Sequence, residues 1–91
     1  MAIEVRVPTI LRQHTGGAKV VEAAGGTLAA VIDDLEVRHP GLRERLIEGD
    51  GALRRFVNVY LNDEDVRFLD GLATEVGDGD SITVLPAVAG G

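Results

Sequence analysis

The segment that decides the fold reads TLAAVIDDLEVR, residues 27–38, and it carries the one long helical pattern of the sequence. The apolar residues that share one helical face in it are Leu28, Val31, Ile32 and Leu35. Thr27 is a suitable N-cap because its hydroxyl can accept a backbone hydrogen bond from the first turn. Pro40 prevents continuation, so the predicted helix ends near Arg38.

Strand patterns flank this helix on both sides, with apolar residues alternating with polar ones. The predicted strands are residues 3–7, 19–22, 56–61, 66–68 and 81–85. The first two form a hairpin with a long loop that turns at residues 14–17. Turns are also expected at residues 62–65 and 77–80, and Pro86 should end the last strand because proline lacks a backbone N–H.

The order strand, strand, helix, strand, strand, strand predicts an α+β fold of the β-grasp, or ubiquitin-like, type: a mixed sheet with one main helix packed across one face. A right-handed crossover makes the first and last strands parallel neighbours at the sheet centre. A second short helical segment is expected at residues 42–47, and Leu72 is expected to fill the core from a loop. We expect one domain over residues 1–85 and a flexible C-terminal tail over residues 86–91.

The composition argues against several kinds of site. The sequence has no cysteine, so it has no disulfide and no thiol nucleophile, and any sulfur it handles is carried elsewhere than on a side chain. The only histidines, His14 and His39, fall in a loop and at a helix end, whereas a metal site needs three or four converging ligands. Residues 63–65 resemble the start of a calcium loop, but Phe68 stands where that loop requires glycine. We therefore expect no bound metal or cofactor.

The net charge and the hydropathy of the sequence limit the kinds of partner that this protein can have. The net charge of −6 argues against nucleic acid as a partner and favours docking on a more basic protein. No stretch is long and apolar enough to span a membrane, and the N-terminal residues do not have the pattern of a signal peptide. We expect a cytoplasmic protein with no nucleic-acid or membrane partner, and a carrier or substrate rather than an enzyme.

The C-terminal residues indicate where the chemistry of this protein takes place. Ahead of Gly91 the predicted tail consists of Pro86, Ala87, Val88, Ala89 and Gly90. Glycine has no Cβ, so a Gly-Gly end is thin and flexible, and it offers only backbone and one terminal carboxylate. Such an end, extended over about 20 Å, fits a narrow channel in an enzyme that activates the carboxylate. A merely frayed terminus is the alternative interpretation.

Three stretches together resemble the ThiS/MoaD family of ubiquitin-like sulfur carriers, and within it the carriers of cysteine biosynthesis. They are VPTILR (7–12) with HTGG (14–17), FVN (56–58) through NDEDVRF (62–68), and GDGDS (77–81) running into LPAVAGG (85–91). Small subunits of molybdopterin synthase have a similar end, so the tail alone does not separate the two groups.

The resemblance implies a route for sulfur. An E1-like, MoeB-type enzyme uses ATP to adenylate the Gly91 carboxylate, and a sulfur donor then displaces AMP to leave a thiocarboxylate. Further implied partners are a sulfur-accepting synthase, either a pyridoxal-phosphate cysteine synthase or a thiosugar synthase, and a metalloprotease that releases cysteine. The alternatives are the small subunit of molybdopterin synthase, a modifier conjugated through Gly91 to lysines, and a docking module with an inert tail.

A docking face is also expected. Ordering a flexible tail costs roughly 1–2 kcal/mol per residue, which contacts made by the folded body must offset. The wet face of the sheet should place Tyr60 and Leu85 near Arg6, beside the tail, and we predict these three as docking residues. Ordinary scattered surface residues are the alternative explanation.

Overall fold

A five-stranded mixed sheet organises the molecule. The structure is a computed structural model that describes residues 3–54 and 57–86. The strands are β1 (Ile3–Arg6), β2 (Val20–Ala23), β3 (Val57–Leu61), β4 (Glu64–Asp65) and β5 (Ser81–Pro86). The α-helices are α1 (Leu28–Arg38) and α2 (Leu42–Leu46).

The strand order is β2-β1-β5-β3-β4. β1 and β5 are parallel, with Val5 opposite Ile82, and the other three pairings are antiparallel. The first and last strands are thus parallel neighbours in the middle of the sheet. With α1 packed across one face, this confirms the predicted β-grasp architecture.

The helix α1 forms as its sequence pattern predicts. The Thr27 hydroxyl accepts a hydrogen bond from the backbone N–H of Ala30 at 3.2 Å, which caps the first turn. The buried residues of the helix are Leu28, Val31, Ile32 and Leu35, the four of the predicted stripe. Val37, on the opposite side of the helix, is 80% exposed. The stripe packs against the inner face of the sheet, where Ile3, Val5 and Ile82 are also buried.

The connection between β1 and β2 differs from the predicted open loop. It contains a seven-residue 3₁₀ helix, Thr9–Thr15, which includes His14 and ends at Gly16, a glycine in the left-handed region at φ +66°. Leu11 of this helix is buried in the core. A 3₁₀ helix of this length is uncommon, and its residues do not show the 3.6-residue period of an α-helix, so the sequence pattern did not predict it.

The predicted edge strand at residues 66–68 is wrong. Val66–Phe68 is a 3₁₀ helix, and the edge strand is the preceding pair, β4. The Asp65 carboxylate accepts a hydrogen bond from the backbone N–H of Arg67 at 2.9 Å, which caps the turn and ends the strand. A two-residue turn, with positive φ at Asn62 and Asp63, returns the chain directly into β4.

Smaller differences affect the strand ends. β1 ends at Arg6, one residue before the predicted end, although Val7 is still buried. In β5 the register continues to Pro86, which faces Val57, one residue beyond the predicted end of the strand. Leu72 lies in a 3₁₀ helix, Gly71–Ala73, and packs half-buried against the core, as expected. Phe56, the predicted first residue of the central strand, lies outside the described residues.

One carboxylate fixes the turn between α1 and α2. Glu36 accepts hydrogen bonds from the backbone N–H groups of Gly41 and Arg43, each at 3.0 Å. These two bonds, in that order, hold the pKa of Glu36 below its ordinary value, because they stabilise the ionised form. Gly41 has φ +97°, and a Cβ there would lie 3.1 Å from Nδ1 of His14, so the turn requires glycine.

Truncation of the buried stripe tests the register of α1. Ile32→Ala should lower the free energy of unfolding by about 2–5 kcal/mol, because it leaves a cavity against the sheet. The matched control Val37→Ala, on the exposed side of the same helix, should change it by less than about 0.5 kcal/mol. Urea unfolding of both variants measures the difference, and equal stabilities would contradict the register.

The turn carboxylate predicts a dependence of stability on pH. Because the pKa of Glu36 is lowered in the folded state, its carboxylate stabilises the fold above the ordinary glutamate pKa, about 4.3, and this contribution is lost as the pH falls through the folded pKa. Glu36→Gln should therefore be less stable than the wild type at pH 7 and approach it in acid. Glu44→Gln, at an exposed position of α2, is the control. A Glu36→Gln deficit that stays constant down to pH 2 would refute this role.

Candidate functional site

The three predicted docking residues share the outer face of the sheet, opposite α1. Thr83 of β5 faces Arg6 on one side and Tyr60 on the other. With about 4.8 Å between neighbouring strands, Arg6 and Tyr60 start about 10 Å apart across Thr83. Leu85 lies two residues farther along β5, opposite Asn58, and points to the same face. The register thus places Arg6, Tyr60 and Leu85 in one patch.

The exposure of these side chains differs. Arg6 is exposed, Leu85 is 45% exposed, and Tyr60 is half-buried. Val20 of the edge strand β2 faces Arg6 and is also 45% exposed, so it extends the apolar part of the patch. A partner can therefore bury aliphatic and aromatic surface on a sheet whose inner face is already packed.

A groove of about 360 Å³ runs along this patch, beside the end of β5. We call it the basic groove and define it by Arg6, Pro8, Arg12, Lys19, Val20 and Leu85, which all line it. The three cations surround aliphatic side chains, and none of the described residues that line the groove is acidic. The groove can therefore take an apolar group with negative charge at its rim.

The cations of the groove are placed by the β1–β2 connection. Nε of Arg12 donates a hydrogen bond to the carbonyl of Val7 at 3.1 Å, which ties the 3₁₀ helix to the end of β1. The backbone N–H of Val7 in turn donates to the carbonyl of Lys19 at 2.8 Å. Arg6 approaches Glu4 only to 4.0 Å, and an exposed pair at that distance contributes little.

The charge of the basic groove is opposite in sign to the net charge of the chain, from which the chemistry of the partner was predicted. The net charge of −6 suggested docking on a more basic partner, yet the groove beside Leu85 of β5 is lined by three cations and by no acidic residue among those that the structure describes. Glu4 and Glu22 lie on the same outer face, in β1 and β2, but they do not line the groove. Further acidic residues lie on α1, at Asp33, Asp34 and Glu36, and in the turns around β4. A surface that docks in this groove is therefore expected to be acidic where it meets the three cations.

The predicted chemical site lies mostly beyond the described residues. Pro86 is the last of them, and its backbone faces Val57 at the end of β5. Ala87, Val88, Ala89, Gly90 and Gly91 lie outside the described residues.

A second groove, of about 450 Å³, lies on the helix side of the β5 end. It is lined by the 3₁₀ helix and α2, with Ile10, Arg45 and Arg54 among its side chains and Glu44 partly offsetting their charge. None of the predicted docking residues lines it.

The histidines have structural surroundings. The ring of His14 lies against Gly41, and the backbone N–H of His39 donates to the carbonyl of Leu35 at the end of α1. In the part of the chain that the structure describes, no three potential metal ligands come together. Over the same residues, no helix combines the length and the apolar character needed to cross a bilayer.

The sequence patterns missed part of the groove. The sequence pattern could have identified Thr83, because the alternation of the last strand places it on the solvent-facing side of the sheet. It could not have identified Arg12, because the position of Arg12 depends on a 3₁₀ helix that the pattern did not predict. Lys19 was placed in the return strand, but its proximity to Leu85 depends on the order of β2, β1 and β5 in the sheet.

Comparison with known proteins identifies the family. The sequence matches the ThiS family over residues 5–91. It is 61% identical to the sulfur carrier protein CysO of Mycobacterium tuberculosis and 39% identical to the small archaeal modifier protein 3 of Haloferax volcanii, with all of this chain and of each relative covered.

A solved structure gives the same result. The chain resembles a chain in the crystal structure of the BexX/CysO complex of Amycolatopsis orientalis with a TM-score of 0.93 and 60% sequence identity, over 99% of this chain and 100% of that one. The resemblance derived from the sequence is thereby confirmed. The chain belongs to the ThiS family, as a small sulfur carrier rather than an enzyme.

Proposed function

We propose that the Gly91 carboxylate is the chemical site of this protein. An E1-like, MoeB-type enzyme adenylates it with ATP, and the resulting thiocarboxylate donates sulfur for cysteine or another sulfur-containing metabolite, such as a thiosugar. The observation that carries the proposal is the course of β5, the central strand, whose residue Leu85 lines the basic groove and whose last residue is Pro86. An enzyme that takes up the tail must approach this groove.

The carboxylate needs activation for a simple reason. An α-carboxyl group has a pKa of roughly 3.3–3.7, so at pH 7 it is an anion and a poor electrophile. Attack by its oxygen on the α-phosphorus of ATP expels pyrophosphate and forms an acyl-adenylate. A sulfur nucleophile then attacks the carbonyl carbon, and AMP leaves with the bonding electron pair. Gly91 has no Cβ that would hinder this attack.

The folded body supplies the binding energy. Ordering residues 87–91 in a channel costs about 5–10 kcal/mol of backbone entropy. Contacts with Leu85, Tyr60 and Val20 can offset this by burying apolar surface, at roughly 25 cal/mol per Å². Arg6, Arg12 and Lys19 add electrostatic selection for an acidic rim. The basic groove therefore sets which enzymes receive the tail.

Several enzymes are proposed to use this face in turn. They are the activating enzyme, a sulfur-accepting synthase of the pyridoxal-phosphate or thiosugar type, and a metalloprotease that releases the product. The relative from Amycolatopsis orientalis was crystallised in complex with BexX, which supports the idea that carriers of this shape dock on partner proteins. In this proposal the reactions take place in the cytoplasm, where ATP is available to the activating enzyme.

A second candidate function is conjugation to other proteins. The 39% identical relative is named a small archaeal modifier protein, and a Gly-Gly end suits an amide bond to a lysine as well as a thiocarboxylate. Intact mass after incubation with the activating enzyme, ATP and a sulfur source separates the two. A gain equal to the sulfur–oxygen mass difference supports the carrier, and protein-sized adducts support the modifier.

The position of the terminal carboxylate gives the first test. Deleting Gly91, or adding one alanine after it, keeps a carboxylate but moves it by about 3.5 Å. A misplacement of about 1 Å can cost on the order of 100-fold in rate, so both variants should lose thiocarboxylate formation. Gly91→Val should also fail, because its branched Cβ crowds the carbonyl. Intact mass spectrometry measures the product.

Each of these tail variants should melt at the wild-type temperature, which serves as the control for folding. Full activity of the alanine-extended protein, with no prior trimming by a protease, would refute the mechanism.

The docking face gives the second test. Tyr60→Asp combined with Leu85→Asp should raise the KM of the activating enzyme for the carrier at least tenfold, because two charges replace apolar contacts. Val37→Asp places one such charge on the opposite side of the molecule and should leave KM unchanged. ATP–pyrophosphate exchange measures both. An unchanged KM in the folded double variant would exclude this face.

A further inference from the structure

Phe68 is the most exposed large apolar side chain among the described residues, with 87% of its surface accessible. The described core is aliphatic and does not use it. Leu69 beside it is 39% exposed. Aromatic residues are enriched at interfaces, so an exposed phenylalanine with an apolar neighbour is a candidate contact.

The turn that presents Phe68 is rigidly held. The Arg67 guanidinium donates to Oδ1 of Asn58 at 2.7 Å and to the carbonyls of Arg54 and Val57 at 2.9 and 2.7 Å. Val66, two residues before Phe68, is 1% exposed and fixed in the core. Because the turn is already ordered, a contact through Phe68 would lose little conformational entropy.

The surroundings of Phe68 are acidic. Residues 62–70, which we call the acidic tip, contain four carboxylates and one arginine, a net charge of −3. The carboxylates belong to Asp63, Glu64, Asp65 and Asp70. The one cation, Arg67, points its guanidinium back onto β3. The tip is thus an apolar side chain with negative charge around it.

The basic groove has the complementary chemistry. It combines aliphatic side chains with Arg6, Arg12 and Lys19, and its volume of about 360 Å³ has room for an aromatic ring. We propose that the acidic tip of one copy of this chain docks in the basic groove of a second copy, with Phe68 against Val20 and Leu85. The carboxylates of the tip then face the cations of the groove, and Phe68 faces its aliphatic side chains.

The sheet order determines the type of assembly. The tip includes β4 at one edge of the sheet, whereas the groove involves β1, β5 and the opposite edge strand β2. Tip and groove are therefore different surfaces, and the contact is heterologous, or head-to-tail. Such contacts propagate into open chains of copies unless the rotation closes a ring.

The association should be weak and transient. Its area is small, and two copies of charge −6 repel each other at long range. At 0.15 M salt the Debye length is about 8 Å, so this repulsion is largely screened while contacts within the groove persist. We expect a dissociation constant of about 0.1–1 mM. In each contact, Leu85 and Arg6 of the copy that supplies the groove are covered, and that groove is closed to other partners.

Complementation between two half-site variants tests the proposal. In 0.15 M NaCl at pH 7, the wild-type sedimentation coefficient should rise between 0.05 and 1 mM protein. Phe68→Ser removes the tip and Leu85→Asp disrupts the groove, so each variant alone should stay monomeric. Their equimolar mixture retains one intact tip and one intact groove, and it should form dimers that do not grow further. Val37→Ser, a control for loss of an exposed apolar side chain, should behave as wild type.

Nuclear magnetic resonance locates the contact. In the mixture, labelled Phe68→Ser should show shifted amides at Lys19, Val20 and Leu85, and labelled Leu85→Asp should show them in residues 62–70. A wild type that is monomeric up to 1 mM, association that survives Phe68→Ser, or a mixture that stays monomeric would each overturn the proposal. A monomeric wild type whose activation is slowed by Phe68→Ser would assign the tip to the enzyme instead. The sedimentation and resonance measurements need no enzyme and no tail chemistry, so the self-association is tested independently of the proposed function.

Discussion

The parallel pairing of β1 with β5 is the constraint on which the rest of the structure depends. Parallel neighbours cannot be joined by a tight turn, so the chain must cross over the sheet, and α1 provides this crossover while covering the inner face. The same pairing puts the last strand at the centre of the sheet, between β1 and β3. The residues that follow Pro86 in the sequence therefore continue from the central strand, which pairs with β1 on one side and β3 on the other.

The sequence predicted those parts of the structure that repeat with a period. The apolar stripe of α1 and the alternation of apolar and polar residues in β3 and β5 show which side of each element is buried. These patterns were sufficient to predict the fold and to place Arg6, Tyr60 and Leu85 on one face. The 3₁₀ helix at Thr9–Thr15 and the turn after Asp65 were not predicted, because single side-chain-to-backbone bonds and contacts with distant elements stabilise them. The sequence pattern therefore also missed Arg12 as a groove residue, because the 3₁₀ helix Thr9–Thr15 brings Arg12 to the groove.

The distribution of charge over the surface, more than the net charge, determines how a partner is oriented when it docks. In a chain with fifteen acidic and nine basic residues, three cations line the basic groove with no carboxylate among the described residues that line it, while many carboxylates lie on α1 and around β4. Net charge governs solubility and long-range encounter, whereas a local patch of opposite sign governs the orientation in which a partner arrives. In the proposed mechanism the tail is the end that a partner takes up, and such a local patch favours encounters in which the partner approaches the groove first.

The aliphatic core has a practical consequence for spectroscopy. The protein has one tyrosine and no tryptophan, and that tyrosine, Tyr60, lies half-buried on the outer face of the sheet. The two phenylalanines absorb and emit only weakly and at shorter wavelength, so the tyrosine absorbance band and the tyrosine emission arise from a single ring on the outer face of the sheet. Without any label, the emission of the carrier reports the polarity and the quenching at this one place, and when a tryptophan-containing protein covers it, energy transfer from Tyr60 makes the encounter visible in real time.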